Sequence, residues 1–382
     1  MPLSRRAFLA TLGAGGAASL ALSGRGREPL TALPPHLLRP ADRALAKGRG
    51  MIRLDSNENP NGPGERVFEA FRGAFGEANR YPFALENDLK AAIAKAHGIR
   101  PEHVLLACGS TEVLKVAVQT FTSLRRPLVF PTPSFEFPAV MAELLGHPVR
   151  RVPVDAKLRL DLTPMAEAAQ GAGLVFFCNP NNPTATVQGK AEVAAFAAQV
   201  AKTSPETVIL MDEAYHEYVE DPAYATAIPL ALQNPNVIVS RTFSKVFGLA
   251  GLRVGYALGR PETLARLDRA MLPSGINQLA LAGATLAIGD AAHIAEEQRR
   301  NREAKAFTRA WFEKAGYPVG PSEANFLMID IRRDVKTFKA ACLKQGVAVG
   351  RPFPPLNTHL RLSIGTRAEM EAALEVFQKV LV

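Results

Sequence analysis

Cysteine is scarce in this chain: 382 residues hold three, Cys108, Cys178 and Cys342, far apart and in no metal-ligand spacing. That pattern supports neither a disulfide framework nor a zinc site, and a cysteine ending an apolar run is ordinarily a small buried hydrophobe. After residue 27 no run of lysine or arginine exceeds a doublet. The formal charge is +9, but residues 1–27 carry four arginines and no acid; without them 41 basic residues face 36 acidic ones, a net +5. So mild a balance does not point to nucleic acid and fits anionic small ligands or plain solubility. Beyond the N-terminus there is no internal repeat and no low-complexity tract. What remains is ordinary globular composition, 47% hydrophobic and 21% charged, in a chain long enough for two domains or one large α/β unit.

Residues 1–27 read as a signal rather than as fold. Ser4-Arg5-Arg6-Ala7-Phe8-Leu9 leads into a weakly apolar, Gly/Ala-rich run ending at Leu22. A charged start with an apolar stretch this short suits secretion, not a spanning helix. The paired arginines resemble the twin-arginine export signal, which carries proteins already folded. The expectation is therefore a periplasmic or otherwise extracytoplasmic protein without a stable membrane anchor, cleaved after Ser23; the alternative is a chance arginine pair on an uncleaved anchor. No cysteine lies near the end of this stretch, which argues against a lipoprotein. Gly13-x-Gly15-Gly16 follows no strand and is not a phosphate loop.

Residues 28–60 read as an N-terminal arm that runs into the turn-rich segment Leu54-Asp-Ser-Asn-Glu-Asn-Pro-Asn-Gly-Pro63. Val67, Phe68, Phe71 and Phe75 recur at helical spacing, as do Leu85, Leu89 and Ile93 before Gly98, with a loop at Asn79–Pro82 between them. From Val104 short apolar runs alternate with amphipathic stretches: 104–107, 128–130, 174–177, 208–211 and 237–239. Such uninterrupted Val/Leu/Ile/Phe runs suit strands buried on both faces, so a mostly parallel sheet covered by helices is expected over 61–290. Residues 254–258 offer one more strand, possibly antiparallel. After about 290 a charged helix (292–315) leads to a smaller α+β domain, 291–382. It comprises a strand at 326–329, a helix near 335–345, a strand pair at 347–349 and 360–364, and a closing helix with Met370, Leu374 and Phe377 on one face.

Four motifs fall where these strands end. Gly109-Ser110-Thr111-Glu112 opens a helix, whose exposed N–H groups suit a phosphate, though the same residues make an ordinary cap. Asn179-Pro-Asn-Asn182-Pro-Thr184 fixes an irregular loop at the carboxyl edge, where ligands sit in open α/β sheets. Asp212-Glu213-Ala214-Tyr215 places a carboxylate where burial demands a cation, unless it caps a helix. Finally, Ser240-Arg-Thr242-Phe-Ser244-Lys245 runs on to Arg253. A lysine among small apolar residues loses its proton more easily, and its neutral amine can form a Schiff base with an aldehyde. Thr242, Ser244 and Arg253 would suit a phosphate on that aldehyde; alone, the segment is also a loop that happens to carry a lysine.

Taken in order, these motifs resemble the pyridoxal-phosphate aminotransferases of class I/II, in particular the histidinol-phosphate aminotransferase branch, over about residues 51–382. The resemblance implies the aspartate-aminotransferase-like (type I) fold, with 61–290 as the cofactor-binding domain and pyridoxal 5'-phosphate as the cofactor. It implies that Lys245 carries the aldehyde and moves the substrate proton, that Asp212 meets the pyridine nitrogen, that Ala214 packs on the ring, and that Asn182 and Tyr215 hydrogen-bond the ring oxygen. Gly109, Ser110, Thr111, Thr242, Ser244 and Arg253 would hold the phosphate and Phe135 would stack on the ring. Arg361, in Leu360-Arg-Leu-Ser-Ile-Gly365, would take the substrate carboxylate as a bidentate pair, with Arg351 as second substrate arginine and Asn182 beside them. Tyr81 would cross a homodimer interface to the phosphate. As bland alternatives, Arg361 is an exposed strand arginine and Tyr81 a core aromatic.

Three departures bear on the substrate. The family's loop continues with glycine where Ala185 stands, so a need for positive φ there would alter the loop locally. The arm offers Pro40 where the histidinol-phosphate enzymes resemble one another in a tyrosine, and Gly350 intervenes before Arg351. These leave the cofactor chemistry intact and put the phosphorylated substrate in doubt. The expected activity moves an amino group from an amino-acid donor to a 2-oxo-acid acceptor. A decarboxylase of the threonine-phosphate type is the alternative, since it resembles the family in nearly every cofactor residue. A cofactor-sensing regulator would need a DNA-binding module before the arm, and a catalytically dead binding protein is at odds with the intact lysine.

Overall fold

The computed structural model describes residues 50–381. The expected export signal, its cleavage site and Pro40 lie outside the described residues. A short strand, β1 (Ile52–Leu54), enters first, followed by helices α1 (Glu65–Ala74) and α2 (Phe83–His97). Val67 is buried in α1, but Phe75 falls past the helix end and stays exposed. Leu89 and Ile93 are buried in α2, which stops at Gly98 in the left-handed conformation that glycine adopts freely at helix ends.

The chain then lays down seven strands: β2 (Val104–Ala107), β3 (Leu128–Thr132), β4 (Val149–Pro153), β5 (Leu174–Cys178), β6 (Val208–Asp212), β7 (Val237–Thr242) and β8 (Gly255–Leu258). They form one sheet in the order β2-β8-β7-β6-β5-β3-β4. β8 runs antiparallel to both its neighbours, β2 and β7, while β7, β6, β5, β3 and β4 pair in parallel. Every residue of β5, β6 and β7 is buried. Alternate side chains of these strands enter two separate apolar clusters: Val175, Phe177, Ile209 and Met211 join one, Leu174, Phe176, Val208 and Leu210 the other. That two-sided burial is the reason the runs are uninterrupted rather than alternating. β4, Val-Arg-Arg-Val-Pro, was not expected: its two arginines hide a strand that lies at the sheet edge, where polar side chains are tolerated.

Connecting helices are α3 (Ser110–Phe121), α4 (Phe137–Leu144), α5 (Leu162–Ala168), α6 (Lys190–Thr203), α7 (Ile228–Gln233), α8 (Pro261–Asp268) and α9 (Gln278–Ala287). The long α10 (Ala291–Lys314) follows, then β9 (Phe326–Asp330), α11 (Val335–Lys344), β10 (Val347–Val349), β11 (His359–Ser363) and α12 (Arg367–Val380). A third apolar cluster joins Leu54 to these last elements, with Met370, Leu374 and Phe377 of α12 facing in. The expected strand pair is corrected here: β10 and β11 are not hydrogen-bonded to each other. β10 pairs in parallel with β1, and β11 pairs antiparallel with β9. A partner some three hundred residues away in sequence leaves no local signal, so the arm's contribution of a strand was invisible.

Candidate active site

The carboxyl ends of β2, β3, β5, β6 and β7 open on one edge of the sheet, and a cleft of about 550 Å³ lies there. Ser110, Thr111, Phe135, Asn182, Asp212, Ala214, Tyr215, Thr242, Ser244, Lys245, Arg253, Arg351 and Arg361 all line it. These are thirteen of the fifteen expected site residues; of the two that do not line the cleft, Gly109 lies under the Arg253 guanidinium and Tyr81 lies elsewhere.

Asp212 and Glu213 are adjacent, buried carboxylates, and their surroundings separate their roles. Glu213 accepts from Arg241 Nε at 2.9 Å, from Thr226 Oγ1 at 2.8 Å and from the Ala227 amide at 2.6 Å. Asp212, on the opposite side of the strand by the two-residue period, is 3% exposed and its Oδ1 has no hydrogen-bond partner among the described residues. Burial pushes its carboxyl up to about 7, against the pull of the Lys245 charge. A buried carboxyl oxygen left unpaired calls for a donor that the protein itself does not supply. The N–H of a protonated pyridine is such a donor, so the site fits pyridoxal phosphate at this end.

Lys245 sits on the turn after β7. Burial, followed by the nearby Arg361 charge, draws its amine down to about 8. Its Nζ donates to the Asn57 carbonyl at 3.0 Å and lies 5.5 Å from the centre of the Tyr215 ring. The arm holds this turn in place: Asn59 Nδ2 donates to the Val246 carbonyl at 2.9 Å. Gly248, at φ +70°, has no room for a side chain, because a Cβ would stand 2.2 Å from the Gly62 carbonyl carbon.

The phosphate end is a cup at the start of α3. Thr242 Oγ1 donates to Ser244 Oγ at 2.9 Å, and Arg253 Nη1 reaches Ser244 Oγ at 3.3 Å while Nη2 reaches Thr111 Oγ1 at 3.5 Å. Gly109 is required because the guanidinium lies across it: a Cβ there would stand 2.3 Å from Arg253 Nη2. Free N–H groups at a helix start, two hydroxyls and an arginine form an anion site.

Arg361 occupies the opposite wall. It is 9% exposed, so it is not the exposed strand arginine of the alternative reading; Nη1 donates to Asn182 Oδ1 at 2.9 Å and Nη2 to the Asp55 carbonyl. Its Nε is buried without a partner among the described residues. Arg351 lines the cleft but is engaged, with Nη2 2.6 Å from Glu136 Oε2. Tyr81 is 78% exposed and stacks on Phe83, ring centres 5.8 Å apart, which rules out the core-aromatic alternative. Ala185 adopts φ +60° and is fully buried, so the loop keeps its positive φ with alanine in place rather than changing shape.

Sequence reading missed the arm's share of the site. Asn57, at φ +53° and buried, donates its amide to Ser363 Oγ at 2.8 Å and Nδ2 to the Tyr215 hydroxyl at 3.1 Å. Its carbonyl takes Lys245 Nζ and, at 3.0 Å, Asn325 Nδ2. Asp55, Lys339 and Phe353 also line the cleft. The only local hint was an Asn-rich turn, which marks irregular backbone without saying what it touches.

Residues 49–377 match the family described as aminotransferase class I and II. A histidinol-phosphate aminotransferase of Symbiobacterium thermophilum is 37% identical over 334 residues, covering 87% of this chain and 91% of that protein. An aromatic amino acid aminotransferase of Thermobifida fusca is 34% identical over 352 residues, 92% of this chain and 95% of that protein. Among solved structures, a histidinol-phosphate aminotransferase of Sinorhizobium meliloti in complex with pyridoxal-5'-phosphate superposes with a TM-score of 0.81 at 27% identity, covering 95% of this chain and 99% of that one. The chain belongs to the class I and II aminotransferases, with their aspartate-aminotransferase-like fold, and is a pyridoxal-phosphate-dependent transaminase.

Proposed function

We propose that this transaminase takes its amino group from a donor bearing an α-carboxylate and passes it to a 2-oxo acid, with Arg361 as the carboxylate anchor. The observation that carries this reading is the unpartnered Nε of a buried guanidinium facing the cleft that Lys245 also lines. Buried arginines are otherwise satisfied, and a bidentate carboxylate would complete this one.

Bound pyridoxal phosphate supplies an electron sink that makes a proton on the substrate's Cα labile. The protein's own groups do the rest. Arg361 and Asn182 orient the donor. The Lys245 amine, with its proton affinity lowered by burial, would take the proton from the substrate's Cα and later release it, a task that suits a pKa near neutrality. Asp212 would hold the ring nitrogen protonated, Tyr215 and Asn182 would hold the ring oxygen, Phe135 would cover a ring face, and Ser110, Thr111, Ser244 and Arg253 would grip the phosphate. The bare Tyr81–Phe83 pair fits a homodimer in which Tyr81 reaches the partner's phosphate site, and Arg5-Arg6 fits export by the twin-arginine route.

A donor screen with histidinol phosphate and with aromatic and acidic amino acids tests the anchor. Amino acids should be processed, and Arg361→Lys should slow them far more than histidinol phosphate. Exclusive use of histidinol phosphate would contradict the reading, and CO2 release without oxo-acid product would favour the decarboxylase. Sedimentation tests the dimer. Fractionation of cells with Arg5→Lys/Arg6→Lys tests export.

A further inference from the structure

Asp212 is flanked in the sheet by two polar neighbours that the roles above leave unused. In the parallel register Cys178 of β5 and Ser240 of β7 stand directly opposite it on either side, so the three side chains share one face of the sheet. All three are buried, Ser240 completely. Cys178 is already committed: its Sγ donates to the Pro180 carbonyl at 3.3 Å, and burial holds the thiol in its neutral form. The Ser240 hydroxyl is not committed. Its Oγ is sealed from solvent and makes no hydrogen bond among the described residues, and the same is true of Asp212 Oδ1.

Two orphaned polar groups side by side are unusual, because buried hydroxyls and carboxyls ordinarily find partners. The backbone keeps these two together, since the Glu213 amide donates to the Ser240 carbonyl at 3.0 Å. Neighbouring strands lie about 4.8 Å apart, so a turn about the Ser240 Cα–Cβ bond is enough to bring Oγ to the carboxylate. The other ionisable groups around Asp212 are engaged elsewhere. Glu213 faces the far side with Arg241, the Tyr215 hydroxyl accepts from Asn57 Nδ2, and Lys245 Nζ donates to the Asn57 carbonyl. Burial raises the Asp212 carboxyl most, the Lys245 charge opposes it, Glu213 adds to it, and the Ser240 hydroxyl is the remaining group that draws it down.

Cofactor binding changes what this carboxyl needs. A protonated carboxyl supplies a donor of its own, whereas an ionised one only accepts, at about four lone-pair positions. Beside a protonated ring nitrogen Asp212 would be the ionised partner, and one N–H fills one of those positions. A buried carboxylate held by a single donor is poorly satisfied.

We propose that Ser240 is a positioning residue for Asp212. Its hydroxyl stands idle in the unloaded chain and donates to the Asp212 carboxylate once a cationic ring nitrogen occupies the cleft. The serine thus holds the acid in the form and orientation that the ring requires. This rests on Asp212 meeting the ring nitrogen and adds the group that secures it from behind.

The test is binding of two cofactors to the apoenzyme by calorimetry: pyridoxal phosphate, and its analogue with C–H in place of the ring nitrogen. Wild type, Ser240→Ala, Asp212→Asn and the double variant are compared. Ser240→Ala removes an oxygen that bonds to nothing in the unloaded chain, so the urea midpoint of the apoenzyme should not fall. Pyridoxal phosphate should bind about tenfold more weakly to this variant, the effect of one hydrogen bond to a charged group. The analogue should change by less than about twofold, and so should pyridoxal phosphate when Ser240→Ala is added to Asp212→Asn. A merely structural serine would weaken both cofactors alike and lower the midpoint. Either that result, an unchanged affinity for pyridoxal phosphate, or a full loss in the Asp212→Asn background overturns the proposal. A wild type that does not prefer pyridoxal phosphate to the analogue would remove the contact between Asp212 and the ring nitrogen, and the proposal with it.

Discussion

The two sides of the cleft are built differently. The cofactor side stands on strand ends: Asp212 ends β6, Thr242 ends β7, and Gly109 and Ser110 follow β2. Their positions are set by a sheet whose central strands are buried throughout. The substrate side is assembled from pieces distant in sequence: Asn57 and Asp55 from the arm, Phe353 and Arg351 from the loop after β10, Arg361 from β11. It is joined to the other side by side-chain contacts such as Arg361–Asn182 and Asn57–Tyr215. The difference teaches that the chemistry is held by the rigid element while the choice of substrate is left to contacts that single substitutions can retune.

If that contrast holds, the largest loss should come from the cofactor side. Asp212→Asn should lower kcat/KM by about 10³-fold, the effect of removing one member of a buried charge pair, measured with saturating cofactor. The same variant has a pH signature without cofactor. The Asp212 carboxyl is raised from 3.8 to about 7 in the folded chain. The folded state therefore binds the extra proton between those values, and wild-type stability should fall as pH rises from about 4 to about 7. That slope should be smaller in Asp212→Asn by urea titration; equal slopes would mean the carboxyl is not held in its protonated form by burial.

On the substrate side, Arg361→Lys should cost about 10²-fold in kcat/KM, chiefly through KM, because a lysine cannot reproduce a bidentate grip. Asn57→Ala should destabilise the protein by roughly 2–3 kcal/mol in urea unfolding, since it leaves the buried Tyr215 and Ser363 hydroxyls short of partners. A change below about 0.5 kcal/mol would show that the arm is not a structural part of the site.

Much of the fold was legible for one reason. Runs such as Leu174–Cys178 and Val208–Asp212 must be apolar on both faces, so burial itself wrote them into the sequence. The cofactor motifs were legible because they immediately follow those runs. β1, β4 and the β1–β10 pairing were not, because a three-residue strand or an arginine-bearing edge strand has no periodicity to read. Asn57 and the Glu136–Arg351 pair were missed because their meaning lies in a partner more than two hundred residues away. Arg351 itself was read as a substrate arginine without any sign that a carboxylate of the chain already held it.

Ala185 gives the smallest expected effect. Ala185→Gly relieves about 1–2 kcal/mol of left-handed strain but gives up a buried methyl, about 0.8 kcal/mol, and gains unfolded-state entropy of about 0.5–1 kcal/mol. The net change should stay within about 0.5 kcal/mol by thermal unfolding, and a larger gain would mean that the loop is strained beyond this one residue.

The claim on which the rest depends is that the amine at position 245, and no other, carries the cofactor. Borohydride reduction of the loaded enzyme followed by peptide mass mapping tests it directly, because Lys339 lines the same cleft and is the natural competitor. One pyridoxyl phosphate per chain is expected on the peptide containing Lys245; label on Lys339, or none at all, would contradict that assignment.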